Sequence, residues 1–309
     1  MRCLLAVFFL AALVACTAEN GGTAPTRFDG ALPIEVTCTV GMLGDLAERI
    51  GGERVHVQNL MGPGTDPHLY RAIPSDRRRL EDSDLIFAVG LHLEGNLGPI
   101  LESFRRRVHT VAVGERLPRD RLLADQQHPT AYDPHLWFDV DLWSEAAGVV
   151  ADELAEFDPD GAPGYAERAQ RLRAELAELH AEIGREIASI PRERRVLITA
   201  HDAFRYFGHA YDIEVLGIQG ISTADEAGVR RIRDLVDAIV TRKIPAVFLE
   251  STIAEKNVRA LVEGCESRGH PIVVGGELYS DAMGDRAGPA GNYIGMVRHN
   301  LVTIMNALR

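Results

Sequence analysis

The sequence predicts an α/β protein of two lobes, each a parallel sheet flanked by helices, joined by one long rigid helix. Three observations carry this. Residues 165–190 place Tyr165, Ala169, Leu172, Leu176, Leu179, Ile183, Ile187 and Ile190 three or four apart among Glu, Arg, Gln and Ala, which makes one helix with one apolar stripe. Nearly equal stretches, 34–157 and 191–309, lie on either side of residues 158–190. Within each stretch, short runs of Val, Ile and Leu alternate with helical patterns, as parallel strands with crossover helices require.

In chain order, Met1-Arg2-Cys3 is followed by an apolar run over residues 4–15, too short for a lasting membrane span and of the length of a secretory signal's apolar core. Leu13-Val14-Ala15-Cys16 closes it with small residues before a cysteine, the pattern at which bacterial lipoproteins are cleaved and acylated. Residues 1–15 are therefore expected to be a signal peptide and Cys16 the lipidation site. Residues 16–33, rich in Gly, Ala, Thr and Pro, read as a flexible tether. The body is expected to be extracytoplasmic, periplasmic or at the cell surface, and held to a membrane by lipid.

Of the 309 residues, 33 are Lys or Arg and 45 are Asp or Glu. Without residues 1–15, which hold one Arg and no acid, 32 basic and 45 acidic side chains leave a net charge of −13. Such a balance argues against nucleic acid as a partner and suits a cationic ligand. Beyond Cys3 and Cys16 only Cys38 and Cys265 remain, neither in a CxxC pair, and both are expected as buried thiols.

The first lobe, 34–157, reads as strands at 34–40, 55–60, 83–89 and 108–113, with helices at 43–50 and 144–157. Between the second and third strands runs the turn-rich 61–70, which contains Asp66-Pro67-His68; residues 131–139 repeat the triplet as Asp133-Pro134-His135. Proline holds the preceding Asp extended and fixes its own φ, so each histidine stands on a stiff elbow. The run 158–164 precedes the linking helix and Pro191 ends it.

In the second lobe, 191–309, strands are expected at 195–200, 213–218, 246–250 and 271–274. A helix carrying Ala203, Phe204, Phe207 and Ala210 follows the first strand, and further helices are expected at 227–242, 257–268 and 293–308, with a loop at 275–281. His201 follows the first of these strands directly, Glu250 ends the third, and Asp281 closes the loop.

Ligands of parallel sheets sit beyond the carboxyl ends of the strands. His68, His135, His201 and Asp281 all lie there, two in each lobe, and three imidazoles with a carboxylate are suitable donors for a divalent cation held between lobes. Glu250, Asp133 and Asp66 are expected behind these ligands or lining the pocket, with Glu250 an alternative fourth ligand. The other eight histidines have no such setting.

The stretches 66–68, 132–139, 199–204, 247–252 and 276–284 resemble the signature segments of the metal-receptor solute-binding proteins of ABC transporters, most closely TroA-like lipoproteins, across essentially the whole mature chain. The resemblance implies two Rossmann-like lobes joined by a rigid helix and one divalent cation in the interlobe cleft, bound by the residues matching His68, His135, His201 and Asp281. It further implies a monomeric, non-enzymatic, high-affinity receptor that delivers its ion to a membrane permease driven by a cytoplasmic ATPase. Manganese branches of the family usually carry Glu where this chain has His201, and zinc branches a long His-rich loop before the second ligand. This chain has neither, with only His128 in that segment. The expected cargo is thus Zn²⁺ and/or Mn²⁺, with Fe²⁺ as a third candidate. Two alternatives stand beside this reading: a zinc-dependent hydrolase with Glu250 or Asp202 as general base, and a surface adhesin of the same fold.

Overall fold

The apolar runs of the first half form a sheet whose two inner strands are buried almost throughout. The structure is a computed structural model and describes residues 30–125, 128, 130–224 and 227–309. The expected signal peptide, Cys16 and the tether up to residue 29 lie outside the described residues. In chain order come β1 (Ile34–Cys38), α1 (Gly41–Gly51), β2 (Val55–Asn59), α2 (Pro74–Glu81), β3 (Leu85–Ala88), α3 (Gly98–Phe104) and β4 (His109–Ala112). All pair in parallel, in the order β2-β1-β3-β4. The chain leaves β1 toward one side for β2 and returns to the other for β3, and the carboxyl ends of such a sheet open into a crevice. Helices α2 and α3 had no counterpart in the sequence reading. Helix α2 buries only Asp76 and Leu80, too little for an apolar stripe, and α3 has seven residues.

After a long irregular segment, α4 (Val140–Phe157) begins four residues earlier than the expected 144, because Asp139 caps it: its Oδ1 accepts from the amides of Asp141 and Leu142. Next comes the long helix α5 (Ala162–Ala188), 27 residues and roughly 40 Å at 1.5 Å per residue. Its buried stripe is the expected one, Tyr165, Ala169, Leu172, Leu176, Leu179, Ile183 and Ile187, and it packs on α1 and α4. Two polar devices fix its start. Arg54 grips the buried Asp158 through Nε and Nη2 at 2.7 and 2.9 Å, and the Tyr165 hydroxyl donates to the same carboxylate at 2.6 Å. Arg168 donates to the carbonyls of Ile50 and Gly51, which α1 leaves without helical partners at its end.

The second half contains β5 (Val196–Thr199), α6 (Arg205–Tyr211), β6 (Glu214–Gly217), α7 (Val229–Arg242), β7 (Ala246–Glu250), α8 (Lys256–Ser267), β8 (Val273–Leu278) and α9 (Tyr293–Leu308). Here the parallel pairing is in two ladders, β5-β6 and β7-β8, with β5 lying beside β7. Strand β8 corrects the expected loop at 275–281: Gly275 through Leu278 continue the strand, across a register irregularity between Val247 and Leu249. Glycine suits that stretch, since a Cβ on Gly275 would lie 2.7 Å from the Phe248 ring.

The apolar core is not divided at α5. One buried cluster runs from Ile34 and the first sheet through α4 and α5 to Phe204, Phe248 and α9, and a smaller one fills the space among β5, α7 and α8. Cys38 and Cys265 are buried free thiols. No helix among the described residues is long and apolar enough to cross a membrane.

Candidate metal centre

Each of the four candidate ligands is presented by a strand end or by a loop that the fold braces. His68 stands in the loop after β2. Asp66 Oδ1 accepts the His68 amide at 2.9 Å, a tight Asx turn across Pro67, and Asp66 Oδ2 accepts the Thr223 hydroxyl at 2.6 Å from the other half of the molecule. The loop after β3 supports this elbow from below. A Cβ on Gly95 would come within 3.0 Å of the His68 carbonyl oxygen, so glycine permits the close approach. Buried Glu94 shapes that loop by accepting from the Thr39 hydroxyl and from the amides of Val89 and Gly90.

His135 stands on the second elbow, and here the aspartate does more. Asp133 Oδ1 accepts both the His135 amide at 3.0 Å and ring Nδ1 at 2.8 Å. Helix α6 holds this elbow from the second half: Arg205 Nη1 lies 3.4 Å from Asp133 Oδ2, and the Tyr206 hydroxyl donates to the Asp133 carbonyl at 3.1 Å while accepting the Leu123 amide. His201 follows β5, where Glu250, the last residue of β7, accepts its amide at 2.9 Å and its ring Nδ1 at 2.5 Å. Gly217 ends β6 without a side chain, because a Cβ there would sit 2.6 Å from the Asp202 nitrogen. Asp281 follows β8. The Trp137 indole, two residues beyond His135, donates to the neighbouring Ser280 carbonyl at 3.0 Å, and Asn300 brackets both backbone groups of Tyr279.

The structure thus brings His68, His135, His201 and Asp281 together, each offering a donor atom within 4.8 Å of all the others. All four are at most 5% exposed. Their Nε2 atoms converge on one carboxylate: Asp281 Oδ1 lies 3.4 Å from His135, and Oδ2 lies 3.3 Å from His201 and 3.9 Å from His68. Among the described residues, His201 Nε2 and both Asp281 oxygens are buried with no hydrogen-bond partner. Buried polar atoms normally find one, so this donor set is incomplete by itself and has the chemistry of a cation site.

The charges follow from the surroundings. Burial drives the His68 imidazole down to about 3, partly opposed by Asp281 and reinforced by the neighbouring histidines. Burial also pulls on His135, but Asp133 and Asp281 outweigh it and lift the ring to about 9. His201 is raised well above its ordinary value because Glu250 and Asp281 overcome the burial. Burial alone would raise Asp281, yet His201 and His135 hold it well below the carboxylate range.

Of the residues expected behind the ligands, Glu250 and Asp133 sit on the Nδ1 side of an imidazole, which turns Nε2 toward the centre. Asp66 holds a backbone amide instead. Glu250 stands outside the group of four. Sequence reasoning missed Thr223, Arg205, Tyr206 and Glu94. None lies in a motif, and only Arg205 and Tyr206, close behind His201, carried a positional hint.

Two α/β halves that meet over four buried candidate cation donors, with His201 Nε2 and both Asp281 oxygens lacking a partner among the described residues, have the build of a metal-binding receptor. Residues 36–307 match the ZnuA family, described as zinc-uptake complex component A, periplasmic, and the chain belongs to that family. It is 45% identical over 276 residues, 89% of each chain, to the zinc-binding protein TroA of Treponema pallidum (strain Nichols). It is 39% identical over 303 residues to the manganese-binding lipoprotein MntA of Bacillus subtilis (strain 168), covering 98% of this chain and 97% of the relative. The solved structure of periplasmic zinc-binding TroA from Treponema pallidum matches with a TM-score of 0.87 at 44% identity, over 90% of this chain and 99% of that one. The family is one of metal transport, and the hydrolase and adhesin alternatives are not favoured.

Proposed function

We propose that this protein captures one divalent transition-metal ion outside the cytoplasm, with His68, His135, His201 and Asp281 as its ligands, and delivers it to the permease of an ABC transporter for import. The observation that carries this is the convergence of four buried donors, two of whose residues hold atoms with no hydrogen-bond partner among the described residues. Three imidazole nitrogens and one carboxylate oxygen suit tetrahedral Zn²⁺, and both oxygens of Asp281 together suit Mn²⁺, which accepts more oxygen. The names of the relatives, one a zinc and one a manganese binder, support a cargo of Zn²⁺ or Mn²⁺, with Fe²⁺ as a further candidate. The protein turns over no substrate.

Residues 34–157 and 191–309 act as two lobes, and 158–190 as the helix that links them. A 27-residue helix packed along its length resists wide hinge closure, so binding proceeds by small tilts and loop ordering. Small-angle scattering should show almost the same radius of gyration with and without metal. The mature chain is a monomer, anchored by lipid on Cys16.

Elemental analysis with competition titration on the mature protein, purified without added metal, tests the assignment. About one equivalent of Zn or Mn is expected, against none in a His68→Ala, His201→Ala double variant. Full retention by that variant would remove the cluster from consideration as the site.

A further inference from the structure

The carboxylate at the centre differs from two of the imidazoles in what stands behind it. The rings of His135 and His201 each give Nδ1 to a buried carboxylate, whereas both oxygens of Asp281 are without a hydrogen-bond partner among the described residues. Asp281 therefore takes its place from the backbone before it. Asn300 brackets Tyr279, and the Ser280 carbonyl accepts the indole Nε1 of Trp137 at 3.0 Å. That last bond crosses between the halves. Trp137 is fully buried two residues beyond His135, its ring meets the His135 ring edge-on with centroids 5.4 Å apart, and its carbonyl accepts the Tyr293 hydroxyl at 2.6 Å. Arg205 and Tyr206 tie the same elbow to α6 through Asp133, but the indole ties it to the chain that carries Asp281.

The spacing held in this way is a chemical one. A tetrahedral Zn²⁺ at about 2.0–2.1 Å from its donors sets neighbouring donors roughly 3.3–3.4 Å apart. His135 Nε2 lies 3.4 Å and His201 Nε2 3.3 Å from an oxygen of Asp281, while His68 Nε2 lies 3.2 Å from that of His135 and 3.9 Å from Asp281 Oδ2. Mn²⁺ takes more oxygen, water included, and so depends less on one spacing. We propose that Trp137 is a positioning residue that sets ion specificity: by joining the chain before Asp281 to the turn after His135, it holds these two ligands at the zinc spacing and favours Zn²⁺ over Mn²⁺. The inference deepens the receptor reading and rests on His135 and Asp281 being ligands.

The test is competition titration against a chelator, with Zn²⁺ and Mn²⁺ in turn, on the mature parent and on Trp137→Phe, Tyr293→Phe and Trp143→Phe. Nitrogen and oxygen donors bind Zn²⁺ above Mn²⁺ in general, so the readout is the change in the ratio of the two affinities, which a loss of stability alone does not move. Trp143 is the control. It too is fully buried, but its Nε1 has no hydrogen-bond partner among the described residues, so phenylalanine there opens comparable space and breaks no such bond. Trp137→Phe leaves the Ser280 carbonyl without the indole. Its Zn²⁺ affinity should fall about tenfold, within the range typical of groups that orient a metal ligand, and its Mn²⁺ affinity about twofold, so the ratio drops about fivefold. Tyr293→Phe, which frees the Trp137 carbonyl, should lower the ratio about twofold. Trp143→Phe should melt lower, as a core truncation does, and keep the parental ratio. Equal losses for the two ions in Trp137→Phe, or a ratio that falls as far in Trp143→Phe, would overturn the proposal. If Trp137→Phe shows no cooperative melting, Tyr293→Phe decides, and an unchanged ratio there overturns it. A parent that binds neither ion would instead bring down the receptor assignment, and that is seen before any variant is compared.

Discussion

The two Asp-Pro-His elbows are identical as tripeptides and unlike as structures. At the second, Asp133 holds both the backbone and the ring of His135, and α6 grips the elbow from across the cleft. At the first, Asp66 holds the backbone of His68, and the opposite half reaches it through the Thr223 hydroxyl. The consequence is electrical as well as mechanical. His135 is lifted to about 9 by Asp133 and Asp281 against its burial, whereas burial takes His68 to about 3. One motif thus yields a basic imidazole whose ring is held by its aspartate and a neutral one whose aspartate holds only its backbone. Local sequence builds the turn, and the tertiary neighbours decide what the turn is for.

The largest effect expected from this difference is on pH dependence. At pH 7 the metal-free protein carries protons on His135 and His201, both raised, while His68 is already neutral. Binding must expel the two protons, so affinity weakens as pH falls, by about 10⁴ between pH 7 and 5 if both remain protonated throughout that window. Calorimetry in buffers of different ionisation enthalpy should count about two protons released per ion at pH 7. Release of three, or of none, would break the distinction between the elbows.

Next in size is the comparison of their aspartates. Asp133→Ala strips the His135 ring of its acceptor and should weaken binding about 10- to 100-fold in competition titration, the range typical of groups that orient a metal ligand. Asp66→Ala removes only backbone and cross-cleft bonds and should cost about tenfold or less. Equal losses at the two positions would show that the elbows are equivalent after all. Smallest is Tyr206→Phe, which removes the hydroxyl that joins Leu123 and Asp133. It should lower unfolding stability by about 1 kcal/mol and affinity by a few-fold at most, read from denaturant melts and titration.

Much of this was legible in the sequence. The stripe of α5 is a period-3.6 pattern over seven turns, and a signal that long survives any tertiary context. The convergence of the four candidate ligands was readable because stiff backbone, proline in two cases and a strand end in a third, announces where a side chain will be held. Helix α2 was not readable, since PSDRRRLE offers one apolar residue, and its fold comes from a proline at its start and from Asp76, which accepts from the Ile73 amide and the Tyr70 hydroxyl. Strand β8 was read short because Gly275 and Gly276 look like a loop, yet they mark a close approach of Phe248 and Thr303.

By itself, then, the sequence determined the α/β class, the long helix and the four residues that meet at the centre, because periodicity and stiff turns are local properties of the chain. Only the tertiary structure decided that Glu250 would serve His201 from 49 residues away, that Thr223 would clasp Asp66 from 157 away, and that one elbow would be bound twice and the other once. Those roles rest on hydrogen bonds between distant segments, whose partners are set by how the halves pack and leave no periodic trace in the order of residues.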